Sequence, residues 1–394
     1  MDPEPAERAP FLERFAISAD RIFDGHRWHD HGVILVDRGR VHGIAPQGQT
    51  PSGWPIEAMA GTMLAPGFID LQVNGGGGIL LNDDPTPEAM RAIARAHRKY
   101  GTTGLLPTLI TDTPAKAKAA IAAAKSQNGA DGILGVHLEG PFISPARPGI
   151  HRRDHILPAT ASDLEWLGEL STPGSSIITL APECVPTGFV KSLAENGIRI
   201  CVGHSEASSE ILLRAIDEGL SGVTHLFNAM PAMSAREPGI VGVALADQRL
   251  TAGLIVDGIH VDPLVARAAF AAKGWRKVAL VTDAMPTVGA ERDGFDLMGR
   301  HIRLKDGRLT STDGTLAGAH LDMASAVRQA TSLIGISLDD ALRAASLTPA
   351  TFLGIEQHRG TLSVGARADI VALGRELEVI ATWIAGKGSP SRLS

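Results

Sequence analysis

The segment GIRICVGHSEASSEILLRAIDEGLSGVTHLFN, residues 197–228, contains two short apolar runs separated by a longer stretch. Each run is the length and composition of a strand that is buried on both faces. Between the runs, Leu212, Ala215 and Ile216 recur at helical spacing. Gly219 stands where such a helix would stop. The segment therefore predicts one strand, one helix and a second strand.

The same alternation recurs along the chain, because apolar runs are followed repeatedly by Ala-rich, helix-compatible stretches. The eight runs are MLAPGFIDLQV (63–73), GLLPTLI (104–110), GILGVHLEG (132–140), SSIITLAPE (175–183), GIRICVGHS (197–205), SGVTHLFN (221–228), AGLIVDGIH (252–260) and KVALVTDA (277–284). Eight strand–helix alternations favour an α/β fold of the (β/α)8 TIM-like barrel type over an open doubly wound sheet.

The flanks have a different pattern. Residues 15–62 and the tail beyond Gly360 alternate apolar and polar residues between short turn signals, as antiparallel strands do. Neither flank is large enough to form a good core alone, so we expect the two to pair into a small β-sandwich domain. The predicted division is 1–62 and 358–394 for the small domain, and 63–357 for the barrel.

Composition excludes several classes of function. The chain has 37 Lys+Arg and 43 Asp+Glu, a net charge of −6, so no basic excess exists to neutralise a nucleic-acid backbone. Its two cysteines support neither a disulfide framework nor a thiolate metal site. The N-terminal residues carry charges and lack an apolar core, and nowhere do 18 uncharged apolar residues run together. We therefore expect a cytoplasmic protein that binds neither nucleic acid nor a membrane.

Active sites of such barrels lie at the carboxyl ends of the strands, so the residues that end the runs are informative. Five of the eight runs end with ionisable or metal-ligand side chains, namely Glu139, His204, His225, Asp257 with His260, and Asp283. Each has a structural explanation on its own, such as a helix N-cap for an aspartate. Together they indicate a functional site, because a barrel brings distant strand ends around one mouth.

Two imidazoles and one carboxylate are a common ligand set for catalytic zinc, with one position left for water. Glu139, His204 and His225 supply that set. Asp283 is then the predicted catalytic base, which accepts a proton from water and returns it to a leaving nitrogen. This chemistry is hydrolysis of an amide or a related C–N bond. The glycine run 75–78 lacks the lysine and the spacing of a phosphate loop, so a bend over the barrel mouth is favoured.

Longer stretches of the chain resemble the amidohydrolase superfamily and, within it, the family of N-acetylglucosamine-6-phosphate deacetylases. The stretches that carry the resemblance include APGFIDLQVNGGGG (65–78), GVHLEGPF (135–142), GHSEA (203–207), THLFNAMPAMSAREPG (224–239), DGIHVD (257–262), LVTDAM (280–285) and GTLAGAHLDM (314–323). The resemblance covers about residues 15 to 387. It implies a hydrolase that converts N-acetyl-D-glucosamine 6-phosphate to D-glucosamine 6-phosphate and acetate in amino-sugar metabolism.

The resemblance also implies a divalent metal ion in each subunit, with Glu139, His204 and His225 as ligands and Asp283 as the base. Many amidohydrolases carry His-x-His at the end of the first strand and bind two metals. This chain has 72–74 QVN there, and amides are poor ligands for a second transition metal. A single-metal site is therefore favoured. Zinc is the first choice, with iron, manganese or cobalt as alternatives.

Substrate contacts are implied for five residues. His151 is similar to a histidine that contacts the substrate and helps to polarise the acetyl carbonyl. His260 matches a second substrate-contacting histidine, and Asn228 with Ala229 resembles a phosphate-binding turn. Arg236 resembles an arginine that reaches the phosphate from a neighbouring subunit, so a homodimer is expected. The planar guanidinium suits a phosphate because it donates two bonds at once.

Two further histidines have open roles. His137 precedes Glu139 by two residues and is interpreted as a support for the metal ligands or as a core residue. His320 lies in a stretch similar to a substrate loop of the family, where other members often have a small hydroxyl residue.

Three alternatives remain at this stage. The first keeps the chemistry and changes the substrate to N-acetylgalactosamine 6-phosphate or another N-acetyl sugar. The second is a cyclic amidohydrolase or deaminase, which is less favoured because it would call for second-metal ligands. The third is a barrel without activity that serves as a binding module, and it is disfavoured because ligands and base are all present.

Overall fold

The structure is a computed structural model that describes residues 13–127, 129–171 and 175–390. The predicted flanks begin and end in residues 1–12 and 391–394, which lie outside the described residues. The strands are β1 (Arg14–Phe23), β2 (Trp28–Asp37), β3 (Arg40–Pro46), β4 (Ile56–Pro66), β5 (Phe68–Val73), β6 (Gly75–Gly76), β7 (Ile79–Leu80), β8 (Thr102–Ile110), β9 (His137–Glu139), β10 (Ile177–Leu180), β11 (Arg199–Val202), β12 (Gly222–Val223), β13 (Thr251–Leu254), β14 (Val278–Leu280), β15 (Gly294–Leu297), β16 (Arg300–Lys305), β17 (Arg308–Thr310), β18 (Ile370–Leu373), β19 (Val379–Ile384) and β20 (Lys387–Pro390). The helices are α1 (Pro87–Arg98), α2 (Pro114–Gln127), α3 (Asp163–Leu167), α4 (Phe189–Glu195), α5 (Ser209–Asp217), α6 (Gly239–Ala246), α7 (Pro263–Lys273), α8 (Met323–Gln329), α9 (Leu338–Ala345) and α10 (Leu347–Leu353).

The eight apolar runs form one parallel sheet in the order β14-β13-β12-β11-β10-β9-β8-β5. Each strand falls within or overlaps its predicted run, and the strands are almost entirely buried. The first and last strands approach each other through a single parallel bridge, Val73 with Ala284. The predicted barrel is therefore confirmed, with a seam between β5 and β14.

A helix, α5, lies between β11 and β12, where the sequence predicts one. The side chain of Ser208 accepts a hydrogen bond from the N–H of Ile211 and caps α5, whose Leu212, Ala215 and Ile216 are buried. Gly219 follows the helix with a φ of 114°, which a residue with a side chain rarely adopts. Of the helices in the described ranges, none is long and apolar enough to cross a membrane.

The flanks form a separate seven-stranded sheet in the order β20-β19-β18-β4-β1-β2-β3, as the prediction of a small β domain requires. Most neighbours in it are antiparallel, but β1 and β4 pair in parallel. The parallel pair places β4 beside β1, so that its end leads directly into the first barrel strand. The tail contributes only β18 to β20, and residues 361–369 form no strand. The exact division into 1–62, 63–357 and 358–394 stays a prediction.

A three-stranded antiparallel sheet, β15-β16-β17, follows the eighth barrel strand, and the sequence pattern did not predict it. Its buried face includes Phe295 and Ile302, which belong to one apolar cluster with Ile110, Ile150 and Met285. This sheet therefore packs against the carboxyl end of the barrel. It positions the loop that follows it, residues 314–318, at the mouth.

Candidate active site

A cavity of about 400 Å³ opens at the carboxyl ends of the barrel strands. Its lining residues are Asn74, Ile110, Glu139, Gly149, Ile150, His151, His204, His225, Asn228, Ala229, His260, Asp283, Met285, Gly314, Thr315, Leu316 and Gly318. With the exception of Arg236, every site residue named from the sequence is among them. Among the site residues named from the sequence, the barrel brings together residues up to 144 positions apart, Glu139 and Asp283.

Three ligand-type atoms converge at the floor of the cavity. Glu139 Oε1 lies 3.0 Å from His204 Nε2 and 2.9 Å from His225 Nε2, and the two nitrogens are 3.0 Å apart. The three side chains are almost completely buried. Two imidazole nitrogens and one carboxylate oxygen at such mutual distances fit the donor set of a divalent cation.

The tautomer of His204 supports the same interpretation. Its Nδ1 lies 2.8 Å from the carbonyl oxygen of Arg147, which can only accept a hydrogen bond. Nδ1 therefore carries a proton, and Nε2 is the ring nitrogen that faces the cluster. A metal-binding histidine typically donates its other ring N–H to a carbonyl in this way.

The electrostatics of the cluster favour an ionised carboxylate. Burial raises the pKa of Glu139, but hydrogen bonds and charge interaction with His204 and His225 outweigh it and hold this pKa well below its usual range. Burial lowers the pKa of His225, whereas Glu139 raises it more strongly, so the net shift is upward. A negative charge is thus held where a cation would bind.

Asp283 stands beside this cluster and is held by two amides. Its Oδ1 accepts hydrogen bonds from Asn74 Nδ2 at 2.6 Å and from Gln72 Nε2 at 3.1 Å. Gln72 Nε2 also donates to Glu139 Oε2 at 3.0 Å, so one amide joins the two carboxylates. Burial, and then the charge of Glu139, raises the pKa of Asp283 to about 6. Asp283 Oδ2 is left for water or substrate.

Three of these residues have left-handed backbones. His204 has a φ of 48°, His225 of 30° and Asp283 of 51°. This region is uncommon for residues other than glycine, although Asp and His are enriched there. Such conformations cost about 1–3 kcal/mol each and persist only where the surrounding structure imposes them. The strain lies at the strand ends that carry the candidate ligands and base.

His151 lies against the cation cluster. Its ring is 4.3 Å from that of His204 between centroids, and one ligand atom each of Glu139, His151 and His204 lie within 4.8 Å of one another. Its Nδ1 is 2.8 Å from Thr111 Oγ1, which in turn donates to the carbonyl of Glu139. Nδ1 therefore donates, and Nε2 is the free ring nitrogen. Burial, and then His204, holds the pKa of His151 well below its usual value.

On another side of the cavity, His260 Nδ1 lies 2.6 Å from Asp257 Oδ2. Asp257 also accepts hydrogen bonds from the backbone N–H groups of Ile259 and His260. These contacts orient the ring of His260 toward the cavity that it lines.

The turn after β12 has an alternating backbone. His225, Phe227 and Ala229 have φ values of 30°, 80° and 51°, while Leu226 and Asn228 between them do not have positive φ. Successive N–H groups in such an alternation form a concave site for anions. Within the described part of the chain, the N–H of Ala229 has no hydrogen-bond acceptor. The turn is thus suited to a phosphate oxygen.

Arg236 does not line the cavity within one chain, and its side chain is exposed.

The glycine run 75–78 is not a phosphate cradle. The N–H groups of Gly75, Gly77 and Gly78 donate to the carbonyls of Ala284, Val288 and Pro286. Because these donors are used within the protein, the favoured interpretation as a bend fits.

His137 lies below the site, with Nδ1 2.9 Å from the carbonyl of Leu71 and Nε2 2.7 Å from Thr179 Oγ1. Burial lowers its pKa to about 4. It joins the walls of the barrel and does not line the cavity. His320 is exposed, and its Nδ1 lies 2.9 Å from Thr287 Oγ1.

Sequence reasoning noted Gln72 and Asn74 only as missing metal ligands, although they hold the candidate base. It missed Thr111, and only the resemblance of 314–323 to a substrate loop pointed to residues 314–318, which line the cavity. The signal for Gln72 and Asn74 was their alternation on the first strand with period two, which places both on one face. No strand-end pattern pointed to 314–318, because this loop follows an unpredicted sheet.

Comparisons with known proteins identify the family of the chain. A model of the amidohydrolase family matches residues 63–388. The chain belongs to the amidohydrolase family. This amidohydrolase is 43% identical over 368 residues to the N-acetylgalactosamine-6-phosphate deacetylase of Shewanella sp. strain ANA-3, covering 91% of each chain. It is 32% identical to the N-acetylglucosamine-6-phosphate deacetylase of Haemophilus influenzae, covering 90% of this chain and 94% of that protein.

A solved structure is similarly close. The crystal structure of the N-acetylglucosamine-6-phosphate deacetylase from Pasteurella multocida matches with a TM-score of 0.92 at 32% identity, covering 96% of this chain and all of that one. Membership of the amidohydrolase family implies a divalent metal, and the buried cluster of Glu139 with the two histidines fits one.

Removal of either imidazole should abolish metal retention. We expect the wild-type amidohydrolase to keep about one equivalent of divalent metal after dialysis, and His204→Ala and His225→Ala to keep almost none, because each removes one of three ligands. His320→Ala is the matched control, since that ring is exposed and bonded elsewhere. Elemental analysis of the folded proteins measures the content. Equal metal in the ligand variants and the control would contradict the assignment.

Proposed function

We propose that this amidohydrolase removes acetate from an N-acetylated amino-sugar phosphate, with N-acetyl-D-glucosamine 6-phosphate giving D-glucosamine 6-phosphate. The observation that carries the proposal is the buried triangle of Glu139, His204 and His225 beside Asp283 in one cavity. The names of the relatives support it, because several are N-acetylglucosamine-6-phosphate deacetylases.

Glu139, His204 and His225 would hold one divalent cation, and we propose zinc, with iron, manganese and cobalt as alternatives. When bound, such a cation lowers the pKa of water and polarises a carbonyl oxygen. Where a second metal would bind, the side chains of Gln72 and Asn74 are amides, which are poor ligands for a transition metal, and this favours a single metal.

Asp283 is the proposed base. Its Oδ2 accepts a proton as water attacks the acetyl carbonyl carbon, and the same proton passes to the sugar nitrogen as the C–N bond breaks. The products are acetate and the free amine. Gln72 and Asn74 fix Oδ1, so the carboxylate keeps one orientation through both proton transfers.

His151 and His260 are the proposed contacts to the rest of the substrate. Both rings line the cavity. Their orientation is set at Nδ1, which donates to Thr111 in His151 and to Asp257 in His260. With Nδ1 of His151 donating to Thr111, its Nε2 faces the cavity as an acceptor. Nε2 can donate a hydrogen bond to the acetyl oxygen only after the ring takes up a proton or changes tautomer.

The phosphate is proposed to bind at Asn228 and Ala229, where the N–H of Ala229 has no acceptor among the described residues. We propose that the working unit is a homodimer in which Arg236 reaches the phosphate of the neighbouring site. Its exposure in the single chain leaves the guanidinium available to a partner. Cytoplasm remains the predicted location.

A second substrate is favoured by a specific observation. The Shewanella relative at 43% identity is an N-acetylgalactosamine-6-phosphate deacetylase, whereas the Haemophilus N-acetylglucosamine-6-phosphate deacetylase is 32% identical. The two substrates differ only in the configuration at one hydroxyl-bearing carbon, and the chemistry at the cluster is the same for both.

Acetate release tests the proposed function directly. We expect metal-loaded protein to hydrolyse one or both of these sugar 6-phosphates, and Asp283→Asn to lower kcat about 10²- to 10⁴-fold, because the base is lost. The control is Asp30→Asn, a fully analogous change at an exposed position of the β domain. Turnover by Asp283→Asn equal to that of the control would refute the assignment. A panel of both epimers, with and without phosphate, identifies the substrate.

The pH profile reports the base. Since the pKa of Asp283 is raised to about 6, the active carboxylate is lost as the pH falls through 6, and kcat/KM should decrease about tenfold per unit below it. Asn74→Ala removes a donor that stabilises the carboxylate, so the pKa rises and the acidic limb moves to higher pH. Asn196→Ala, whose amide contacts only its own helix, should leave the profile unchanged. A limb that moves to lower pH in Asn74→Ala would contradict the model.

Arg236→Ala should affect phosphorylated substrates alone. Loss of a charged hydrogen bond should lower kcat/KM for the sugar phosphate roughly 10- to 100-fold and leave unphosphorylated N-acetylglucosamine unaffected. Arg38→Ala, at an exposed position far from the barrel mouth, is the control.

Mixed dimers test the role in the partner. Subunits carrying Arg236→Ala and subunits carrying Asp283→Asn should regain activity when they are mixed and reassembled, because one site of each mixed dimer then has both groups. Failure of the mixture to exceed the two separate variants would exclude an arginine supplied by the neighbour.

A further inference from the structure

Asp70 is a carboxylate with no exposed surface, and the proposed mechanism does not use it. It lies on β5, two residues before Gln72, and the pairing of β5 with β8 shifts register between Asp70 and Val73. Asp70 does not line the cavity. Burial raises its pKa to about 7, and such a group is expensive to bury unless it is fully hydrogen-bonded.

Among the described residues, Asp70 forms hydrogen bonds with Thr282, which precedes the candidate base, and with Gln72, whose amide donates to that base. Its Oδ2 accepts from Thr282 Oγ1 at 2.5 Å. Its Oδ1 accepts from the N–H of Thr282 at 3.3 Å and from the N–H of Gln72 at 3.2 Å. One side chain thus binds the last residue before Asp283 and the residue whose amide donates to Asp283.

These contacts lie at the seam of the barrel. The sheet has its ends at β5 and β14, and the single bridge between them is Val73 with Ala284. The backbone N–H of Asp283 donates to the carbonyl of Gln72 at 3.0 Å, just above the Asp70–Thr282 contact. Because few backbone hydrogen bonds join these two strands, the side-chain contact between Asp70 and Thr282 contributes more to their relative position.

The backbone conformation of Asp283 makes its position more dependent on how Thr282 is held. It turns into the left-handed region with a φ of 51° immediately after Thr282. A strained residue keeps such a conformation only while its neighbours are held in place. Thr282 is held on both its hydroxyl and its N–H by Asp70.

We propose that Asp70 is a positioning residue for the catalytic base: it locks Thr282 and Gln72 across the barrel seam and thereby sets where the Asp283 carboxylate stands. It touches neither substrate nor metal ligand. The inference rests on the proposed role of Asp283, and it explains why a fully buried carboxylate lies below the site.

Three variants test it with little change in volume. Asp70→Asn replaces one acceptor oxygen by an N–H₂ group that faces hydrogen-bond donors, and Thr282→Val removes the hydroxyl. Both should lower kcat about 10- to 100-fold with KM within about twofold, because the base is displaced while the substrate contacts stay. Thr282→Ser keeps the hydroxyl and should retain kcat within about twofold. Metal content should be unchanged in all three.

The double variant Asp70→Asn with Thr282→Val adds a coupling test. If the two residues act through one contact, its kcat should be no lower than that of the worse single variant. Multiplied losses, a rise in KM that accounts for the loss, or an equal loss in Thr282→Ser would each overturn the positioning role and indicate general destabilisation.

Crystal structures of metal-loaded wild type and Thr282→Val provide a readout that does not need activity. The expected result is a displaced Asp283 carboxylate that has lost its contact with Asn74, with the Glu139 cluster intact. An unmoved Asp283 overturns the proposal. Wild-type protein that releases no acetate from either sugar phosphate contradicts the proposed function instead, and the structural comparison still decides the role of Asp70.

Discussion

The buried carboxylate of Glu139 between two imidazole nitrogens is the interaction on which the site depends. Oε1 lies within 3.0 Å of both Nε2 atoms in a place that water hardly reaches. An isolated carboxylate there would be strongly destabilising, so the group must be compensated by positive charge. His204 faces the cluster with Nε2 because its Nδ1–H donates to the carbonyl of Arg147, so the neutral ring would offer Nε2 as a ligand to a cation. A divalent cation, which the family implies, satisfies both requirements at once.

The second carboxylate, Asp283, differs from the first because its neighbours differ. The cluster histidines hold the pKa of Glu139 low, whereas burial and the charge of Glu139 raise that of Asp283 to about 6. Two acids whose environments separate their pKa values in this way are suited to separate roles. Gln72 makes the pair possible, since its amide donates to both carboxylates and lies where other amidohydrolases carry a metal-binding histidine.

The barrel supplies the rigidity that these groups require. His204, His225 and Asp283 all adopt left-handed backbones at the ends of parallel strands. Their side chains then leave the strand direction and turn into the cavity. The conformational cost is borne by the packed sheet below, whose strands are buried on both faces. In a loop without a packed sheet beneath it, the strained backbone would relax and the ligands would move apart.

The sequence by itself determined the barrel, the small β domain and the residue types at the strand ends, since these follow from local periodicity and composition. Glu139, His204, His225 and Asp283 were predicted because strand ends of a closed barrel must converge. Tertiary structure alone decided which atoms meet. The amide of Gln72 contacts partners 67 and 211 residues away, and the Asp70 link to Thr282 spans 212. Such contacts depend on how the seam closes and on backbone conformations at single residues, which no local pattern encodes. The same reason explains why no local pattern predicted β15 to β17 or placed the loop after them at the cavity. It also explains why the role of the glycine run became clear only from the hydrogen bonds that its N–H groups form within the protein.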